Sequence, residues 1–277
     1  MLRTVVHGRA RCGPALAGAA LLATLGSAAE PSAEVRPGGF VRWPGPLLLD
    51  CSIGERRWQP LDGACWYPID LEARGALELV RRSTGGIASR KVRVAAYPYP
   101  TQKLRVAEQY VAPPAHQLER IARERARVEA LFELETPRRF ALPLGAPLER
   151  LPNAARFGAR RIFNDQPRSP HSGADYSARP GTLVLAVGAG RVAVADDEYF
   201  AGKAVYIDHG GGLLSMSFHL SELLVRSDDP VERGQPLGKV GSTGRATGPH
   251  LHFGLRWHGA RIDPDLLLGT AQAVEID

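Results

Sequence analysis

Five histidines and one aspartate in the second half of the chain carry its most specific chemistry. His171 and Asp175 stand four residues apart in Pro170-His171-Ser172-Gly173-Ala174-Asp175. His209 ends an apolar run and precedes three glycines, and His219 closes Leu214-Ser215-Met216-Ser217-Phe218. His250 and His252 bracket Leu251. Imidazole nitrogen and carboxylate oxygen are the donors that hold a catalytic divalent metal while leaving one position open to water. On a strand, His-x-His sends both rings to one face because side chains repeat every two residues. One ring can then bind metal while the other faces a substrate. Taken singly, each motif is also what ordinary polar strand residues look like. Six of only eight histidines fall in one glycine-rich region, and five of them, at 171, 209, 219, 250 and 252, point together to a divalent metal site. Cys51 and Cys65 lie far from these histidines, which argues against a thiol hydrolase. There is no Gly-x-Ser-x-Gly elbow, no Gly-x-Gly-x-x-Gly opening a helix and no Walker loop.

The segments that must position these residues read as strands. Residues 183–187, 191–194, 204–207 and 213–219 are apolar or alternating, separated by glycine and aspartate turns with no helix between them. That pattern predicts an antiparallel sheet or barrel and excludes a βαβ fold. Residues 90–95 alternate with a period of two, as do residues 103–106, and 76–80 nearly so. The region before residue 112 therefore reads as a small β-domain without obvious chemistry. After Pro113-Pro114, residues 116–133 place Leu118, Ile121, Ala122, Ala126, Val128, Leu131 and Phe132 on one side of a helix. The segment is too short for a coiled coil and reads as a connector. Boundaries follow: 1–29 a signal peptide, 30–112 the β-domain, 113–137 the connector, 138–270 the metal-bearing domain, and 271–277 a short, lightly packed tail.

Arg3, Arg9 and Arg11 precede an apolar run over 13–25 that ends in Gly26-Ser27-Ala28-Ala29. This is the pattern of a cleaved secretory signal; the run is shorter than the roughly 20 apolar residues of a membrane span. Cleavage after Ala29 removes three arginines and no acid, halving the net charge of +6 carried by the 277 residues. It also removes Cys12, leaving Cys51 and Cys65, whose pairing is the expectation in an oxidising compartment. A composition of 44% hydrophobic and 23% charged residues excludes wholesale disorder. The arginines are dispersed and no nucleic-acid module is recognisable. No later segment suggests stable membrane insertion.

Residues 138–268 resemble the catalytic domain of the M23 metallopeptidases, the lysostaphin and LytM type of peptidoglycan endopeptidase. The resemblance rests on His171-Ser-Gly-Ala-Asp175, Tyr206-Ile-Asp-His-Gly210, Phe218-His219-Leu220, Val231-Glu-Arg-Gly-Gln-Pro-Leu-Gly-Lys-Val-Gly241 and Gly244-Arg-Ala-Thr-Gly-Pro-His-Leu-His-Phe253. It implies a mainly β fold, an antiparallel β-sheet groove with the metal on its floor, preceded here by the small β-domain and connector helix of periplasmic Gram-negative members. It implies His171, Asp175 and His252 as ligands of one Zn2+, and His219 and His250 as the catalytic cleft histidines. His209 has no catalytic role in that pattern. The implied substrate is the stem-peptide cross-link of peptidoglycan, between D-Ala and diaminopimelate, in the periplasm. Arg160, Arg161 and Asn164, just before the first ligand, are the candidate substrate-binding residues. Two tyrosine positions of the family are unmatched: Ser217 stands two residues before His219, and 164–170 contains no tyrosine. A different reading keeps the groove but not the turnover: a wall-binding or amidase-activating module, with protein partners unknown. A second alternative is that the N-terminal half occludes the site in a resting form.

Overall fold

The computed structural model describes residues 33–152 and 157–277. The signal-peptide segment, Cys12 included, lies outside them. The largest element is a nine-stranded sheet in which every pair is antiparallel. Its main path runs Gly173–Tyr176, Leu251–Trp257, Leu213–Leu223, Gly202–Gly210, Gly190–Glu198 and Pro230–Val231. Leu183–Leu185 and Pro236–Val240 pair with each other and join through Leu213–Leu223, while Ala260–Ile262 pairs with Leu251–Trp257.

The period of two sorts the side chains of this sheet. Ala174, Tyr176, Val205, Ile207, Leu213, Leu251, Phe253 and Leu255 face the main hydrophobic core. Their neighbours Ala204, Tyr206, Leu214 and Met216 face the other way and form a smaller cluster. Helix α1 (Ala115–Leu131) covers part of that second face with Val128 and Leu131, followed by Phe132. No α1 residue is fully buried, and Leu118, expected on the apolar stripe, is 53% exposed. The helix packs by its C-terminal half.

The N-terminal region forms a five-stranded sheet, Ala33–Val35, Gly86–Val94, Ala76–Ser83, Leu48–Ile53 and Arg56–Trp58, and a three-stranded one containing Phe40–Pro44 and Ala64–Pro68. Between them lies a second core built on Trp43, Tyr67, Ile69, Leu79 and Val92. A Cys51–Cys65 disulfide links Leu48–Ile53 to Ala64–Pro68. Closing a loop of this length is worth about 3 kcal/mol in the chain-entropy description.

The C-terminal tail departs from the sequence reading. Val274–Glu275 pairs in parallel with Phe40–Pro44, and Ile276 is 6% exposed. Alternation explains it: Val274 and Ile276 turn inward to the N-terminal core, while Glu275 turns outward to Arg42. Phe40, Leu61, Ala64 and Trp66 belong to the same core as the nine-stranded sheet, so residues from both halves form one compact unit. A third strand set, Thr101–Leu104, Arg160–Phe163 and Gln166–Arg168, leads from the N-terminal region to His171. Among the described residues no helix is long and apolar enough to cross a membrane.

Candidate active site

Strand register assembles the site. Asp175 on Gly173–Tyr176 lies directly opposite His252 on Leu251–Trp257, and His252 lies opposite Phe218 on Leu213–Leu223. All three point away from the main core, as their neighbours Ala174, Leu251 and Phe253 point into it. Cross-strand partners stand about 5 Å apart at Cβ, so the carboxylate and imidazole meet without any loop to place them. His171 precedes its strand and is held by two backbone bonds to the 158–159 segment, Gly158 N to His171 O at 2.8 Å and His171 N to Ala159 O at 2.9 Å. The Phe218 ring stacks on His252 at 5.2 Å and 10°, fixing the plane of the imidazole.

The donor atoms converge. His171 Nε2 lies 2.8 Å from His252 Nδ1 and 3.1 Å from Asp175 Oδ1, and the latter two are 3.0 Å apart. Three lone-pair donors turned to one point make a cation site, and an ion with bonds of about 2.0–2.2 Å reaches all three. Protonation suits the purpose. Burial pushes the His252 ring down to about 4, against the raising effect of Asp175. Burial would raise the Asp175 carboxyl, but hydrogen bonds from His171 and His252 hold it well below the usual carboxylate range. His252 is thus a neutral imidazole and Asp175 an ionised carboxylate, the forms that metal binding requires. Gly173 makes room: a Cβ there would sit 2.7 Å from His252 Nε2 and 2.6 Å from the Phe253 carbonyl.

Two further histidines flank the donors. His219 Nδ1 is 2.9 Å from the Thr243 carbonyl and His250 Nδ1 is 2.8 Å from the Gly248 carbonyl. A carbonyl only accepts, so each Nδ1 carries the proton and each Nε2 is a lone-pair acceptor in the neutral ring. Burial, then His252 and His250, push the His219 ring down to about 3. His219 sits at φ +65° where the pairing of Leu213–Leu223 with Gly202–Gly210 shifts register. Such irregularities re-aim a side chain out of strict alternation. Thr243 is itself clamped, its hydroxyl donating to Leu220 O at 2.7 Å and accepting from Lys203 N at 2.9 Å. The two cleft rings lie 4.9 Å apart.

These residues share a cavity of about 630 Å³. One wall is α1, through Ile121, Glu124, Arg125 and Val128, with Phe132 just beyond the helix. Leu104 and Val106 extend it.

The expected substrate-binding residues separate. Arg161 lines the cleft and approaches Asp175 Oδ2 at 3.6 Å. Arg160, its neighbour on the same strand, faces the other way and stacks over Tyr97 at 4.7 Å. Asn164 is outside the cleft lining and works as a backbone brace, accepting from Val106 N and donating to Val106 O, both at 3.0 Å. His209 is a satisfied core residue, with Nδ1 2.8 Å from Ala189 O and Nε2 2.8 Å from Ser215 Oγ. The tyrosine that does line the cleft is Tyr206, whose hydroxyl donates to Glu198 at 2.6 Å. Sequence reasoning passed over Arg245, although it stands inside the Gly244-to-Phe253 motif, and the α1 wall, which no local pattern announces.

A groove floored by two histidines and an aspartate, on one face of an antiparallel sheet, defines a metallopeptidase-type site. Residues 169–264 match peptidase family M23. The crystal structure of a Pseudomonas aeruginosa protein assigned to peptidase M23 superposes with a TM-score of 0.65 at 30% identity, covering 83% of this chain and 93% of that one. This chain belongs to peptidase family M23. The peptidoglycan DD-endopeptidase ShyA of Vibrio cholerae is 38% identical over 111 residues, 40% of this chain and 26% of ShyA. The DD-carboxypeptidase/endopeptidase Mpg of Neisseria meningitidis is 37% identical over 108 residues, 39% of this chain and 25% of Mpg. The match thus spans about a quarter of the length of these curated relatives.

Proposed function

We propose that this protein is a zinc-dependent endopeptidase of the periplasm, exported by a cleaved signal, that cuts the peptide cross-links of peptidoglycan, with 138–270 as its peptidase domain. The observation that carries the reading is the convergence of His171 Nε2, Asp175 Oδ1 and His252 Nδ1 within 3.1 Å of one another beside two histidines held at Nδ1 by backbone carbonyls, with His250 Nε2 3.7 Å from Asp175 Oδ1. The peptidoglycan assignment draws support from the names of the matched relatives.

His171, Asp175 and His252 would hold the ion, which when bound would supply polarisation of a scissile carbonyl and a water made nucleophilic near neutral pH. The chain's own work is proton traffic. Nε2 of His219 or His250 accepts the proton of the attacking water. That ring becomes a cation whose Nε2–H donates to the developing oxyanion or to the departing amine. The carbonyls of Thr243 and Gly248 keep both rings in the tautomer this requires.

Incubation with isolated sacculi and with a purified cross-linked muropeptide, followed by mass analysis, tests the reading. We expect monomeric products, lost on chelation and in His250→Ala. Binding to sacculi without any product would instead establish a wall-binding or activating module.

A further inference from the structure

The cleft holds a cation that the metal site does not use. Arg245 lines the cavity that contains His250 and His252. Its guanidinium lies over two rings, with Cζ 5.0 Å from the Phe163 centroid and 4.7 Å from that of Phe200. Its backbone N–H is tied to Phe200 O at 2.9 Å. The other lining charges are engaged: Arg161 near Asp175, Arg125 with Glu129, Glu124 with Arg120, Glu198 with Arg127, and Arg256 with the Gly259 carbonyl. Among the described residues the Arg245 guanidinium has no carboxylate within 4 Å and no hydrogen-bond acceptor. Burial, then Arg161 and Arg168, push it down to about 10, a measure of how poorly its charge is compensated. A half-buried charge flanked by like charges is costly unless a counter-ion completes it. Cation–π contact with the two rings holds the guanidinium in place, and its fork of N–H donors suits a planar, bidentate anion.

We propose that Arg245 binds a free carboxylate of the peptide substrate and selects substrates that carry one. The inference rests on the peptidase reading above and names a recognition element of the same cleft. Phe163 and Phe200 act as positioning residues, since they orient the guanidinium without reaching the carboxylate. Arg161 and Arg168 add positive potential that draws an acidic peptide inward.

The test uses two synthetic cross-linked stem peptides, identical except that the diaminopimelate carboxylate is free in one and amidated in the other. Ratios of kcat/KM for acid over amide are measured for the zinc-loaded wild type, Arg245→Met and Arg245→Lys, with zinc content determined for each. Charge-assisted pairs of this kind discriminate by roughly 10- to 100-fold. We expect that preference in the wild type, a ratio within about threefold in Arg245→Met, and an intermediate ratio in Arg245→Lys, which keeps the charge and loses the fork. If Arg245→Met fails to load zinc, a reduced ratio in Arg245→Lys at full zinc content decides the matter. A wild type without preference, or variants that keep the wild-type ratio, overturns the proposal. Fluorescence anisotropy of both peptides on zinc-loaded His250→Ala, with and without Arg245→Met, separates binding from turnover. An Arg245-dependent preference there, with no cleavage by the wild type, removes the endopeptidase reading and leaves the carboxylate site standing.

Discussion

At the scale of single residues, the proposed site divides into atoms placed to hold an ion and atoms placed to move a proton. His171, Asp175 and His252 turn their donors to one point, whereas His219 and His250 are each pinned at Nδ1 by a backbone carbonyl. The two groups answer differently to truncation. Alanine at any of the three donors should abolish stoichiometric zinc, read by metal analysis of the purified protein. Alanine at His219 or His250 should leave zinc bound and lower muropeptide turnover by about 10²- to 10⁴-fold, the usual contribution of a positioned acid–base group. Full activity in both His219→Ala and His250→Ala would falsify the proton-transfer assignment. His209 and His258 lie outside this scheme, as one is satisfied on both nitrogens and the other stacks on Trp58 at 4.5 Å.

At the scale of elements, the sheet does the positioning. The direct opposition of Asp175 and His252 follows from the register of two strands, and that register depends on the close approach allowed by Gly173. A methyl at this position meets backbone on one side and the His252 ring on the other, and the backbone cannot yield. Gly173→Ala should therefore lower zinc affinity by about 10- to 100-fold, the scale seen when ligand orientation is disturbed. Equilibrium metal competition measures it, and unchanged affinity would show that the ring has somewhere to go. A second close pair is Gly202 and Gly244, both at positive φ, where a Cβ on either would fall under 3 Å from the other's backbone nitrogen or its neighbours. That contact brings the Arg245-bearing turn against the strand that starts at Gly202. Helix α1 closes the same cleft from the side, anchored where Arg127 reaches Asp196 and Glu198.

At the scale of the whole molecule, the N-terminal and catalytic sheets are joined by shared core and by a charged clasp. Asp70 takes hydrogen bonds from Arg261 N at 2.9 Å, Nε at 3.0 Å and Nη2 at 2.6 Å. Burial would raise the Asp70 carboxyl, but the Arg261 bonds outweigh it and the group titrates below its ordinary value. A carboxyl lowered on folding contributes stability above its unfolded pKa and loses it as pH falls through the folded one. Asp70→Asn should thus cost about 1.5–3 kcal/mol at neutral pH, and the gap to wild type should close as pH drops below about 4. Urea unfolding at pH 7 and pH 3 checks both statements, and a constant gap would exclude the ionic part of the clasp.

The sequence by itself determined the antiparallel strands of the catalytic sheet and the connector helix, because alternation and glycine turns are local signals, and its clustered histidines pointed to a divalent metal site that His171, Asp175 and His252 are placed to form. The Cys51–Cys65 pair was an expectation of the sequence, on the reading that Cys12 belongs to a removed signal, and the disulfide is present. Only the tertiary structure decided what depends on residues distant in the chain. It sent Arg161 into the cleft and Arg160 to Tyr97, because strand facing is set by the sheet on which a strand packs. It drew the expected loose tail onto Phe40–Pro44, because a strand 233 residues away offered a backbone edge to pair with and a core to fill. It left Arg245 over two phenylalanine rings without an acid, because a missing counter-ion is a property of the whole cleft and of no single motif.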